Sequence, residues 1–154
     1  MKRFVRDYVG ALSSERGTAA MEFGLAVPLL LTLLMGVVEL GFAIYQAMEA
    51  YDAAEAGTIY AGKYGWSATG ISTAVTSAST TTGVTATPLP IEFWGCPSES
   101  GITTVASGST KCSSGNSPGL YVQVQASISH VAILPYPGLS LPATFTAKSI
   151  IRLN

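Results

Sequence analysis

The alternation of polar and apolar positions divides the chain into three parts. Residues 1–17 form a short polar leader. Sixteen residues from Phe23 to Val38 then carry no charge; Glu39 interrupts, and Leu40 to Tyr45 resume the apolar run. Phe23 to Tyr45 is 23 residues, about 34 Å of helix at ~1.5 Å per residue, long enough to cross a bilayer with some tilt. Further on, Ala50, Ala53, Ala54, Gly57, Thr58, Ala61 and Gly62 recur at the spacing of one helix face, with Asp52, Glu55 and Lys63 on the opposite side. The pattern predicts one helix over 18–64, its transmembrane part at about 23–45, with Gly65 ending it. Pro28 is the one proline inside it, and Gly24, Gly36 and Gly41 are places where another helix can come close. A face of small side chains suits close packing on the protein's own sheet or on a neighbouring subunit, and the pattern leaves both open.

A period of two replaces the helical one near the C-terminus. Leu120, Val122, Val124, Ala126 and Ile128 alternate with polar or aromatic neighbours and predict a strand. The apolar parity switches after His130 to Val131 and Ile133, which predicts either a bulge or an emergence from one-sided burial. Pro135-Tyr136-Pro137-Gly138 reads as a turn, and Ala143, Phe145, Ala147, Ser149 and Ile151 as a final strand. A third strand is expected around Ile91–Trp94, at an edge because Pro88 and Pro90 precede it. Residues 67–87 give a weak signal, a short helix or strand about Val75, and 95–119 look loop-like. The expected fold is α+β: a long N-terminal hydrophobic helix followed by a small antiparallel β-sheet domain over 65–154.

Composition sharpens the topology. Hydrophobic residues make up 48% of the chain and charged residues 11%, roughly half the charged share of an ordinary soluble domain. Lys2, Arg3, Arg6 and Arg16 all precede the apolar run, which places the N-terminus in the cytoplasm and the C-terminal domain outside. The net charge of −1 gives no basic patch for nucleic acid. An ordinary secretory signal fits poorly, because the apolar segment exceeds the usual ~7–15 residues and the small-x-small site Ala54-Glu55-Ala56 lies inside the helical pattern.

Candidate chemistry is sparse. Cys96 and Cys112 are the two cysteines; both lie beyond the span, where an oxidising compartment favours a disulfide over free thiols or metal ligation. Closing that loop would contribute about 3 kcal/mol in the chain-entropy model. His130, the single histidine, reads as structural. Serines are plentiful, but no base is placed by sequence beside one to activate it. Glu49, Asp52 and Glu55 drift by about 60° per three-residue step, so they read as a solvated acidic face and not as a metal site. No catalytic residue, metal or cofactor is expected, and the chain is not expected to be an enzyme.

Two carboxylates need a separate account. Glu22 and Glu39 are 17 residues apart, ~25 Å along a helix, so they fall near opposite boundaries of the span. Glu39 is expected to reach toward headgroups or water. Glu22 lies five residues after Gly17, at the mouth of the apolar run. A cut after Gly17 would create an amine on Thr18, and pairing with that amine on another subunit is one way for a carboxylate to persist in a low-dielectric setting.

Arg16-Gly17-Thr18-Ala19-Ala20-Met21-Glu22-Phe23, followed by Pro28 and by Gly36-Val37-Val38-Glu39-Leu40-Gly41, resembles the start of TadE-like proteins. These are minor pilins or pseudopilins of tight-adherence (Flp-type) pilus systems. The family's cleavage pattern is a glycine, four variable residues, a glutamate and an aromatic, here Gly17, Thr18–Met21, Glu22 and Phe23. Phe23 stands where tyrosine is common, so the choice between minor and major pilin rests on length. The resemblance is detailed over residues 15–64 and faint beyond, down to a last strand with Arg152.

It implies a pilin-like fold, processing between Gly17 and Thr18 by a prepilin peptidase, and assembly contacts through Glu22 and Phe23. Its implied partners are other pilin subunits and the pilus assembly platform of the bacterial inner membrane, with later incorporation into the extracellular pilus left open. Residues 1–17 would be a cytoplasmic leader, and the outer domain would serve assembly, initiation or adhesion. Two other readings stay open: a single-pass anchored periplasmic binding domain outside any filament, and an anchored periplasmic enzyme.

Overall fold

The computed structural model describes residues 15–79, 83–133 and 141–153. The leader before Glu15 and the expected turn Pro135–Gly138 lie outside the described residues. Helix α1 spans Glu15–Tyr64, 50 residues, and begins three residues before the 18–64 that the apolar pattern predicts. Its C-terminal end falls as expected: Gly65 adopts φ +83° and its N–H donates to the Ala61 carbonyl at 2.9 Å, the left-handed close that glycine accepts without strain. Ser67 then caps a second helix, α2 (Ala68–Ala78), its hydroxyl accepting from Gly70 N–H at 3.2 Å. Ile71 and Val75, one turn apart, are the buried residues of α2. That resolves the weak signal about Val75 as a helix.

Among the described residues five antiparallel strands form one sheet: β1 (Val84–Thr85), β2 (Ile91–Ser98), β3 (Gly101–Val105), β4 (Gly119–Ser129) and β5 (Thr144–Leu153). β4 is the centre. β5 pairs with it from Ser129↔Thr144 to Leu120↔Leu153, while its other side takes β2 at residues 119–123 and β1 at 127–128. β2 is therefore an inner strand, between β4 and β3, and not the edge strand that its prolines suggested. The reason is positional. Pro88 and Pro90 precede the strand, and Pro97 lies past the β4 pairing, which ends at Gly95. The loop-like stretch after Gly95 contains a hairpin closed at Gly101, where φ is +123°.

The core lies between α1, α2 and the inner face of β4 and β5. Val122, Val124, Ala126 and Ile128 are almost fully buried, as the period of two required. Against them α1 sets its small-residue stripe: Ala50, Ala53, Ala54 and Ala61 have lost essentially all solvent contact. The stripe is small because the backbones approach closely. A Cβ on Gly57 would come within 2.7 Å of both Val124 and Val75, and one on Gly62 within 2.7 Å of Ile151. The Thr58 and Ser149 hydroxyls share a hydrogen bond of 3.1 Å across the same seam. Of the two uses left open for this face, the contact with the protein's own domain is the one observed.

These contacts fix direction. Thr58 meets Ser149 and Gly62 meets Ile151, so α1 and β5 rise together while β4 descends toward His130. The end of the domain at 128–133 and 141–144 is thus beside the middle of α1, and the β2–β3 hairpin is at the far end.

Candidate functional site

Below the domain α1 continues as an uncovered arm. From Gly17 to Val38 every residue is exposed except Val27 and Gly36, which are partly so. Phe23, Leu25, Leu29, Leu30, Leu33, Leu34 and Val37 face outward at all angles, Leu25 with 78% of its surface free. A helix apolar on every side is stable only where hydrocarbon or other helices surround it. The stretch Gly17–Tyr64 contains a segment long and apolar enough to cross a membrane. A Cβ built on Gly24 or Gly41 meets nothing within 4 Å, so those glycines are open to an outside neighbour and are not needed for contacts within the chain. Pro28 removes the donor that would serve the Gly24 carbonyl.

Glu22 and Phe23 both lie on this arm and are exposed, as are Gly17 and Thr18. Thr18 and Glu22 are four residues apart in regular helix, about one turn and ~6 Å in rise, and so share a face. The Gly17–Thr18 bond lies in the first described turn of α1.

A second constellation lies where the arm meets the domain. Glu39 is 3% exposed, contrary to the expectation that it reaches toward headgroups or water. Its Oε2 accepts from the Ile133 N–H at 3.1 Å, and its Oε1 lies 3.4 Å from Nε2 of His130. The other ring nitrogen, Nδ1, is 2.5 Å from Oε1 of Gln46. The rings of Phe145 and Phe42 flank the imidazole at centroid distances of 5.3 and 6.2 Å. β4 places His130, whose N–H still pairs with the Ala143 carbonyl at 2.9 Å beyond the strand proper. His130 is therefore structural, as its isolation in the sequence suggested. Val131 and Ile133 then emerge, 77% and 57% exposed, so the parity switch marks an exit from the sheet and not a bulge.

The signal for this cluster was present in the chain. Glu39, Ala43, Gln46 and Ala50 are all buried and extend the small-residue face downward at i, i+4, i+7 and i+11. The stripe therefore does not begin at Ala50: its lower end is polar, at Glu39 and Gln46.

The far end of the domain holds the disulfide. Cys96 of β2 and Cys112 are bridged, with Cα atoms 5.6 Å apart and a torsion of −86°. The loop beyond is ordered locally by Gly115 N–H to Cys112 carbonyl at 2.8 Å and Cys112 N–H to Asn116 carbonyl at 2.9 Å. Phe93 stacks on Tyr121 across β2 and β4. Arg152 lies over Gly119, where a Cβ would approach its Nε to 2.6 Å. Among the described residues no group of three His, Cys, Asp or Glu is placed to hold a metal ion. Asp52 and Glu55 are solvated, while Glu49 is partly buried and accepts from the Tyr45 hydroxyl at 2.9 Å.

The sequence model of one protein family, described as TadE-like protein, matches residues 17–58. That segment begins at the glycine of the arm, includes both Glu22 and Glu39, and ends at Thr58, where α1 is bonded to the sheet. No curated protein and no solved structure matches the chain.

Proposed function

We propose, from the TadE-like segment at residues 17–58, that the chain is a minor pilin or pseudopilin of a Tad-type pilus and not an enzyme. The observation that carries this reading is the uncovered arm: an all-round apolar helix bearing a single carboxylate, Glu22, one turn after a Gly17–Thr18 bond. In this account a prepilin peptidase cuts after Gly17 on the cytoplasmic side. The new Thr18 amine of one subunit pairs with Glu22 of another as the arms pack. Pairing offsets much of the cost of holding both charges among apolar side chains and sets the register between subunits. Phe23, exposed beside Glu22, supplies apolar contact at the same level.

Before assembly the protein is held in the inner membrane by this helix, N-terminus inside and domain outside. Its partners are other pilins, the peptidase and the assembly platform. The disulfide-stabilised domain serves assembly, initiation or adhesion.

The test is Glu22→Ala in cells that make pili. Membrane insertion is expected to be unchanged, while the amount of this chain recovered with sheared pili or with co-purified pilins falls sharply. Recovery equal to that of the unaltered chain would remove the proposed role of Glu22.

A further inference from the structure

The length of the arm and the position of Glu39 do not fit a bilayer that stops below the domain. From Phe23 to Val38 there are sixteen residues, about 24 Å of helix at ~1.5 Å per residue. A hydrocarbon core is about 30 Å thick. Filling it from Phe23 takes about 20 residues and ends near Phe42, and any tilt moves that end higher. Phe42 is at the level of His130, and Ile133 is bonded to Glu39 one turn below. The lower end of the domain therefore falls inside the layer that the helix must fill.

The chemistry of that end agrees. Val131 and Ile133 are exposed hydrophobics, and Pro142 is exposed in the described chain that leads into β5. Among the described residues 131–133 and 141–147 none is Asp, Glu, Lys or Arg. The next charge, Lys148, lines a surface groove with Tyr51 and Glu55, about 20 Å of helix above Phe42. Tyr45, half exposed just above Phe42, stands where aromatic residues favour the membrane interface. Glu39 would be costly in the same layer if it faced lipid, but it is turned inward onto Ile133 N–H and His130.

We infer that the lower end of the domain, through Val131, Ile133 and Pro142, is seated in the outer leaflet of the bilayer, and that the occupant of this apolar surface is lipid. Leu40 and Ile44 of α1, before and after Phe42, are exposed as well, so the hydrocarbon that covers them lies at the height of this patch. The inference rests on the membrane-anchored reading above. It adds that the domain is not held clear of the membrane on a stalk but is docked on it with a fixed orientation, and that the Glu39–His130–Gln46 cluster keeps a carboxylate out of contact with lipid.

The test uses the full chain, disulfide intact, one copy per lipid nanodisc of phosphatidylethanolamine and phosphatidylglycerol. Nitroxides are attached one at a time at Ile133→Cys, Val131→Cys, Leu25→Cys and Ser113→Cys, all exposed positions, and their relaxation by oxygen and by a water-soluble nickel chelate is compared. Oxygen is expected to dominate at Ile133 and Val131 as at Leu25, and the order to reverse at Ser113. Nickel dominating at Ile133 and Val131 while oxygen dominates at Leu25 would overturn the inference and leave the anchored reading standing. Nickel dominating at Leu25 as well would overturn both. Labels at Ile133 and Val131 shielded from both reagents would mean that protein covers the patch, and would also overturn it.

Discussion

At the scale of single residues, the two carboxylates of α1 do opposite things. Glu22 is exposed on the arm and contributes nothing visible to the domain; Glu39 is buried and ties α1 to the end of β4. Glu39→Ala is expected to leave Ile133 N–H and His130 short of an acceptor and to lower unfolding free energy by roughly 1–3 kcal/mol. Denaturant unfolding in detergent should show that loss, with Glu22→Ala unchanged. The apolar run alone was enough to place Glu22 at the start of the uncovered arm. Glu39 could not be placed in the same way, because a carboxylate at a membrane boundary is equally consistent with solvation, and its partners come from residues more than 90 positions later. Gly17 also matters in its own right. It lies in helical backbone, where glycine is less stable than alanine by roughly 0.5–1 kcal/mol. On the proposed processing, Gly17→Ala is therefore expected to hold the turn that a prepilin peptidase would open, and to reduce the processed fraction seen by immunoblot.

At the scale of elements, α1 is one continuous helix in two regimes. Its upper part is small-faced and packed; its lower part is apolar and uncovered. Glycines report the difference. Gly57→Ala forces a Cβ to within 2.7 Å of Val124 and Val75, so overpacking is expected to cost about 1–3 kcal/mol in denaturant unfolding. Gly24→Ala meets no atom of the chain and should leave that transition unmoved. β4 and β5 could be read in advance because one face of each is buried and alternation follows directly. The β2–β3 hairpin could not. Gly95 is small to admit Ile102, Pro97 lies where β4 no longer pairs, and Gly101 makes the turn. Each of those residues mimics a loop signal for a reason that appears only once the strands are paired. The disulfide ties this hairpin down: replacing both cysteines by serine is expected to lower domain stability by roughly 3 kcal/mol.

At the scale of the whole molecule, the fold divides labour between a domain complete in its own core and an arm that the chain leaves uncovered. That division is what a subunit needs if it is first held in a membrane and then exchanges lipid for other helices. The exchange requires a free amine at Thr18 to meet Glu22, so the account depends most on the cut that creates it. Intact-mass measurement on protein extracted from its native membrane tests this directly. The expected mass is that of a chain beginning at Thr18 with the Cys96–Cys112 bridge intact. A mass that retains residues 1–17 would contradict the account.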